Sequence, residues 1–260
     1  MTAPTAHAPA RVLGRYLLGP LVGRGATSRV FRAHDQATGA DVAVKEIPVE
    51  LGLERRVGAE IRAASRLDHP GIVRLLDWGE ERACFYLVSE LVDGDPLDRL
   101  LRERRVGGDR RMVALVADVL DALEHAHARG VIHRDVKPAN VMVDQDGRAR
   151  LTDFGVARLT GESSMTATGQ VVGTMAYMPP EQAEGDPVDG AADVFSAALV
   201  LYEGLTGSNP LMSESPVETA RRAAARAIPP LARARPDLPD RLVRAVEAGL
   251  ARDPGRLDRI

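Results

Sequence analysis

The amino-acid sequence predicts an α+β protein, with a mostly β first part that carries one helix and a mostly α second part. Roughly the first 90 residues contain short runs of β-branched and aromatic residues between turn signals, a pattern typical of antiparallel strands. After residues 93–95 the apolar side chains recur every three or four positions, which indicates helices. A chain of 260 residues, 45% of them hydrophobic, is long enough to form two lobes around a sizeable core.

The predicted elements follow one another in two groups. The strands are predicted at residues 16–25, 28–35, 41–47 and 84–92. One amphipathic helix at residues 54–67 interrupts them. The helices of the second part are predicted at residues 111–130, 191–207, 216–227 and 239–253, and the second of these is apolar nearly all round, as a central buried helix should be.

Composition excludes several classes of protein. The net charge of −3 provides no basic field for nucleic acid, and aromatic residues at 3% are too few for a base-stacking platform. Cys84 is the single cysteine, so no internal disulfide can form. The N-terminus lacks a secretory signal, and no apolar run approaches the ~18 residues of a membrane span. We therefore expect a cytoplasmic location, with a disordered tail at residues 1–12 before the globular part.

The chemistry-bearing residues cluster in two neighbouring motifs. "VIHRDVKPANVMVD" occupies residues 131–144 and "RARLTDFGVAR" follows at residues 148–158. Each motif is weak alone, but together and in this order they resemble the catalytic and metal-binding loops of protein kinases. The chain is similar to the bacterial eukaryotic-like (Hanks-type) Ser/Thr protein kinases over about residues 15–260. The resemblance implies one bilobal kinase domain, with an N-lobe at residues 13–92 and a C-lobe at residues 93–260.

The resemblance assigns roles within residues 131–140, called the catalytic loop below. Asp135 would orient the attacking hydroxyl and Lys137 would steady the γ-phosphate of ATP. Asn140 and Asp153 would hold Mg²⁺ or Mn²⁺, for which hard oxygen ligands are suitable. His133 is expected to be a packed structural residue.

The nucleotide site is predicted from the first part of the chain. The glycine-punctuated "LVGRGATSRV" at residues 21–30 resembles the phosphate-covering loop, with Ser28 where the family has a third glycine. Lys45 would contact the α- and β-phosphates and pair with Glu60, for which Glu50 and Glu54 are competitors. The full set implied for ATP is Val22, Gly23, Gly25, Ser28, Val30, Ala43, Lys45, Ser89, Glu90, Val92, Met142 and Asp153.

Within that set, three groups have separate roles. Ala43 and Met142, with Val22, would sandwich the purine. Glu90 and Val92 would offer backbone hydrogen bonds. Ser89 would be a small gatekeeper, from which we hypothesise an open pocket behind it.

Regulation and substrate binding are predicted downstream. Thr166 and Thr168 resemble the autophosphorylated threonines of the family, and Arg134 could pair with the phosphate. Thr174 lies in "GTMAYMPPEQ", residues 173–182, called the substrate platform below, and is expected near the acceptor hydroxyl and Asp135. Asp193 resembles the buried aspartate that braces the catalytic loop.

One family feature is displaced. The closing "DPxxR" pattern, whose arginine pairs with the glutamate at Glu181, has Leu257 in the place of the arginine. Arg256 or Arg259 could take over that pairing, and the sequence leaves the choice open.

The predicted partners are ATP, protein substrates with Ser or Thr acceptors, and a second copy of the chain for trans-autophosphorylation. The cytoplasmic location could be that of one part of a longer, membrane-anchored protein. The alternative function is a pseudokinase that binds nucleotide without transfer, although all five residues central to transfer are present: Lys45, Glu60, Asp135, Asn140 and Asp153. A small-molecule kinase is disfavoured by Lys137 and by the substrate platform.

Overall fold

The computed structural model describes residues 10–25, 28–48, 61–154 and 175–251. Its first part forms an antiparallel sheet with the spatial strand order β1-β2-β3-β4-β6-β5. The strands are β1 (Arg11–Val12), β2 (Tyr16–Arg24), β3 (Arg29–Asp35), β4 (Asp41–Pro48), β5 (Leu75–Glu81) and β6 (Cys84–Glu90). The four predicted strands are confirmed in β2, β3, β4 and β6.

The two faces of this sheet have different neighbours, because successive side chains of a strand point to opposite faces. On β4, Val42 and Val44 join an apolar cluster with Tyr16 and Val88. The alternate positions Ala43 and Lys45 therefore lie on the other face. Their register partners on β6 are Ser89 and Leu87, respectively. Side chains directly opposite each other in an antiparallel pair share a face, so these four line one surface of the sheet.

The second part is mostly helical, which confirms the α+β prediction. Its helices are α1 (Leu97–Arg102), α2 (Asp109–His127), α3 (Pro180–Glu184), α4 (Gly190–Thr206), α5 (Pro216–Ala224), α6 (Leu231–Ala234) and α7 (Asp240–Gly249). Helix α4 is buried along most of its length, as its all-round apolar sequence predicts. The Asp189 side chain caps its N-terminus by accepting from Ala191 N at 2.8 Å, and Gly207 ends it with a φ of 83°.

A small second sheet positions the catalytic loop. It contains β7 (Gly94–Pro96), β8 (Val141–Asp144) and β9 (Ala149–Leu151), all antiparallel. A 3₁₀ turn at Pro138–Asn140 leads directly into β8. Gly94 is required here, because a Cβ at this position would lie 2.1 Å from the Val143 carbonyl oxygen. None of these three strands was predicted, since runs of three or four residues show too little alternation.

Two differences concern the predicted boundaries. Residues 61–64 are helical and fall within the predicted helix at 54–67, the start of which is outside the described residues. The predicted disordered tail extends to residue 12, but the structure places Arg11–Val12 in β1, where Val12 is buried against Tyr16 and its neighbours. None of the helices in the described ranges has the length and apolar character needed to cross a bilayer.

Candidate active site

The backbone of the catalytic loop is fixed by Asp193 on α4. One carboxylate oxygen, Oδ1, accepts from Arg134 N at 2.7 Å, and Oδ2 accepts from His133 N at 2.8 Å. Oδ2 also lies 2.7 Å from His127 Nε2 on α2. The Asp193 side chain is only 1% exposed, so its charge is balanced by these donors instead of by water. The predicted brace is thus confirmed, with His127 as an additional member.

His133 packs inside the loop and uses both of its ring nitrogens. Nε2 lies 2.7 Å from the Thr152 carbonyl oxygen, to which it can only donate, and Nδ1 accepts from Asp135 N at 3.2 Å. The ring also meets Phe154 edge-on, with centroids 4.5 Å apart. Neither nitrogen is left to take a proton from a substrate, which supports the structural role expected for His133.

Asp135, Lys137 and Asn140 form one connected group. Lys137 Nζ lies 2.8 Å from Asp135 Oδ2. The Asn140 amide nitrogen donates to the same oxygen at 2.9 Å and to the Asp135 carbonyl at 2.8 Å. Both partners therefore hold Oδ2, and Oδ1 accepts no hydrogen bond from the described residues. Oδ1 is the oxygen that could accept a hydroxyl proton from a substrate.

Lys45 and Asp153 join the two parts of the molecule. Lys45 Nζ on β4 lies 2.8 Å from Asp153 Oδ2, which follows β9. Burial alone would raise the pKa of Asp153, but the charge and hydrogen bond of Lys45 outweigh it, with smaller contributions from His133 and Lys137. The pKa of Asp153 consequently lies below its usual value. Asp153 is thus held as a carboxylate beside Lys45.

Thr152 connects Asp153 to the catalytic loop. Its backbone N donates to the Asn140 carbonyl at 2.9 Å, and its hydroxyl donates to the same oxygen at 3.3 Å. Asp153 itself has a φ of +67°, a left-handed conformation that is uncommon outside glycine. A strained residue held by surrounding contacts is typical of functional sites.

The donor chemistry around Asp153 fits a hard divalent cation. Asp153 offers a carboxylate, and Asn140 offers its amide oxygen, since its amide nitrogen already donates to Asp135. The described residues contain no group of three or more His, Cys, Asp or Glu side chains able to hold a metal. A site with only a few protein ligands is sufficient for Mg²⁺, because this ion commonly completes its coordination with water and substrate phosphates.

The residues predicted around the nucleotide lie on separate elements. Val22 on β2 is 56% exposed, and Ala43 on β4 pairs with Ser89 on β6. Met142 lies on β8, opposite Pro96 of β7. Their contact with a purine stays a prediction.

The glycine segment and the chain after β6 have defined backbone partners. Gly23 pairs with Val30, and Gly25 N donates to the Ser28 carbonyl at 2.9 Å. Glu90 N donates to the Arg74 carbonyl at 3.1 Å, so Glu90 could offer a ligand at most its own carbonyl oxygen. Val92 follows outside the strand.

A cavity lies behind Ser89. Its wall contains Lys45, Leu75 and Leu87 from the sheet, Ala64 from the helical segment at 61–64, and Phe154. Ser89 is one of the residues that line this cavity, and the open pocket hypothesised behind a small gatekeeper stays a prediction. A bulkier residue at this position would point into the cavity, because Ser89 and Leu87 lie on the same face of β6.

The described part of the substrate platform is anchored on α4. The Tyr177 hydroxyl donates to Glu203, and Ser196 Oγ donates to the Tyr177 carbonyl at 2.8 Å. Burial raises the pKa of Glu203, because the carboxylate loses water when it is enclosed beneath the platform. The remaining predicted positions lie outside the described residues: Glu60, Thr166, Thr168, Thr174, Arg256 and Arg259.

Several contacts at the site were not predicted. Arg226 pairs with Glu181 at 3.3 Å, a position for which the sequence offered only Arg256 and Arg259. Arg150 on β9 pairs with Glu90 at the end of β6. Both contacts join residues far apart in the sequence, so no local pattern could have revealed them. His127 had a local signal, since it falls on the inner face of a predicted helix.

Comparison with known proteins identifies similar chains. The protein kinase domain model matches residues 16–242. A probable serine/threonine-protein kinase of Streptomyces coelicolor is 41% identical over 222 residues, covering 82% of this chain and 33% of that protein. Serine/threonine-protein kinase PknB of Mycolicibacterium smegmatis is 37% identical over 256 residues, covering 95% and 41%. PknA of Mycobacterium tuberculosis is 36% identical over 250 residues, covering 93% and 57%. The chain therefore spans between a third and three fifths of the length of these relatives.

Proposed function

The chain belongs to the protein kinase family, and on that premise we propose that it transfers the γ-phosphoryl group of ATP to serine and threonine hydroxyls of proteins. The observation that supports this function best is the Lys45–Asp153 ion pair across the two lobes, at 2.8 Å. It is joined through Thr152 to the loop that carries Asp135, Lys137 and Asn140. Phosphoryl transfer needs such positioned charges more than covalent participation of the protein.

Each side chain has a separate task in this proposal. Asp135 orients the acceptor hydroxyl and takes its proton on Oδ1, while Lys137 and Asn140 hold Oδ2 and so fix the carboxylate. Lys137 also steadies the γ-phosphate. Lys45 holds the α- and β-phosphates and pairs with Glu60.

The cation assignment follows from the oxygen donors. Asn140 and Asp153 would bind Mg²⁺ or Mn²⁺, which neutralises charge on the phosphates when it is bound. The lowered pKa of Asp153 suits this role, because the carboxylate stays ionised and available at cellular pH.

Regulation and cellular location are part of the same proposal. Phosphorylation of Thr166 or Thr168, by a second copy of the chain, would supply a phosphate with which the Arg134 guanidinium can pair. Thr174 would contact the acceptor side. The cytoplasm supplies ATP and protein substrates, and it is the location we propose for this domain, alone or within a membrane-anchored protein.

The test is phosphate incorporation by the purified protein with MgATP, mapped by mass spectrometry. Asp135→Asn removes the proposed proton acceptor, and Asp146→Asn makes the same change at an exposed position as a control. Phosphate on Thr166 or Thr168 in the wild type and the control, but not in Asp135→Asn, would support the proposal. ATP binding without phosphate on the protein itself or on a general protein substrate would contradict it and favour the pseudokinase.

A further inference from the structure

Glu181, at the start of α3, is held by an arginine from another part of the C-lobe. Arg226 follows α5, and its Nη2 lies 3.3 Å from Glu181 Oε2. The two side chains are 21% and 31% exposed, so their attraction is only partly screened by water. Helix α3 begins at Pro180, within the substrate platform, so this ion pair acts at the platform's C-terminal end.

The position of Arg226 is determined by several contacts at once. Its guanidinium carbon lies 5.2 Å from the centroid of the Phe195 ring, which is itself buried on α4. Its Nη1 is 3.5 Å from the Leu250 carbonyl, just beyond α7. The backbone φ of Arg226 is +47°, a conformation that non-glycine residues keep only when the surroundings fix it. The side chain thus joins α3, α4 and the end of α7.

The other side of α3 contacts the catalytic loop. Gln182 Nε2 donates to the Arg134 carbonyl at 3.1 Å, one residue before Asp135. Arg134 N is itself bound by Asp193. Glu181 and Gln182 are neighbours on one short helix. An ion pair that fixes Glu181 therefore also stabilises the hydrogen bond from Gln182 to the catalytic loop.

The sequence departs from its family at the residue that would usually bind Glu181. Leu257 has no charge, whereas Arg226 provides a guanidinium at bonding distance. We propose that Arg226 is the positioning residue that pairs with Glu181 and thereby holds the substrate platform against the catalytic loop. This inference rests on the proposed function, since its consequence is the alignment of a protein substrate with Asp135.

The experiment compares steady-state phosphorylation of a general protein substrate by purified variants. Arg226→Ala should lower kcat/KM for the protein about tenfold, as expected for one coupled ion pair, while KM for ATP stays within about twofold. Arg226→Lys should recover part of the loss, because a lysine keeps the charge but not the planar contact with Phe195. Arg221→Ala is the matched control, since Arg221 lies on α5 and pairs with the neighbouring Glu218.

Glu181→Gln provides the partner test. If the two residues act as a pair, Glu181→Gln should give a loss similar to that of Arg226→Ala, and the double variant should be no worse than either single one. Losses that multiply in the double variant would overturn the proposal. So would an Arg226→Ala variant that behaves like Arg221→Ala. A different result would assign the pairing to Arg256 or Arg259. In that case Arg226→Ala has normal activity, and adding Arg256→Ala or Arg259→Ala to Glu181→Gln causes no further loss of kcat/KM.

Two further outcomes, a variant that does not fold and a wild type without activity, are each resolved by a separate measurement. If Arg226→Ala does not fold, the comparison of Arg226→Lys with the wild type decides, and equal KM and kcat for the protein substrate in those two would overturn the proposal. If the wild type transfers no phosphate, the proposed function fails by itself. The pairing is then measured by amide hydrogen exchange of residues 175–184, where faster exchange in Arg226→Ala than in Arg221→Ala supports it and equal exchange contradicts it.

Discussion

Asp193→Asn is expected to destabilise the protein strongly, although it changes only one atom. The Asp193 carboxylate accepts from two backbone N–H groups, of His133 and Arg134, and lies against the ring of His127. An amide has only one oxygen, so one of the two N–H groups would face an NH₂ group without an acceptor. A hydrogen bond to a charged group contributes about 1.5–3 kcal/mol, and a buried unpaired donor costs about 1–3 kcal/mol. We therefore expect a loss of about 3 kcal/mol in the free energy of unfolding.

Urea denaturation measures this loss as a shift of the midpoint at unchanged slope. Asp189→Asn is the matched control, because Asp189 caps the same helix and asparagine caps about equally well, so its effect should stay within about 0.5 kcal/mol. The kcat for protein phosphorylation should also fall in Asp193→Asn alone, since Asp135 follows the two braced residues. A midpoint shift equal to that of the control would refute the reasoning that Asp193 holds the loop as a charged acceptor.

Three other changes give distinct signatures. Ser89→Met should fill the cavity behind this residue and weaken inhibition by bulky purine analogues about tenfold or more, with KM for ATP as the reference; unchanged inhibition would contradict the open pocket. The lowered pKa of Asp153 contributes stability that is present above its unfolded-state pKa and is lost as pH falls through the folded-state value. Lys45→Met removes the largest contribution that opposes burial of the Asp153 carboxylate. Unfolding free energies measured from neutral to strongly acidic pH should therefore fall less in the variant than in the wild type, and parallel curves would count against the pair. The pKa of Glu203 is raised in the folded state. Its contribution to the free energy of unfolding is therefore favourable below the unfolded-state pKa and is lost as pH rises through the folded-state pKa. Tyr177→Phe removes a hydrogen bond that lowers the pKa of this carboxyl. The variant should therefore lose more unfolding free energy, about 1–3 kcal/mol, above the folded-state pKa of Glu203 than below it, and an equal loss across urea titrations from acidic to basic pH would argue against the contact.

Local patterns were sufficient to predict elements whose periodicity is long and regular. Helix α4 is apolar on all sides in sequence and is buried along most of its length in the structure. The group of Asp135, Lys137 and Asn140 could also be anticipated, because three residues within one loop and one 3₁₀ turn are forced close together by the chain itself. Their catalytic roles stay predictions until they are measured.

Contacts between distant segments could not be predicted in the same way. Arg226 meets Glu181 only because α5 returns toward α3, and Arg150 meets Glu90 only because β9 lies beside the end of β6. Arginines are numerous in this chain, so composition gave no reason to prefer Arg226 over its neighbours. The short strands β7 and β9 depend in the same way on the partner strand β8, since three residues have little strand preference of their own.

Residues 64–73 precede two strands of the first lobe, yet their buried apolar side chains pack with the second. Ala64, Leu67 and Ile72 belong to the apolar cluster built around the C-lobe helices. Val73 N donates to the Leu151 carbonyl, and Leu151 N donates to the Gly71 carbonyl, both at 2.8 Å. A chain split between residues 92 and 93 would leave one fragment with an uncovered apolar segment and the other with an open groove that matches it. The two halves should therefore be insoluble apart and reassociate when mixed, which makes this boundary suitable for conditional reassembly and unsuitable for producing either lobe alone.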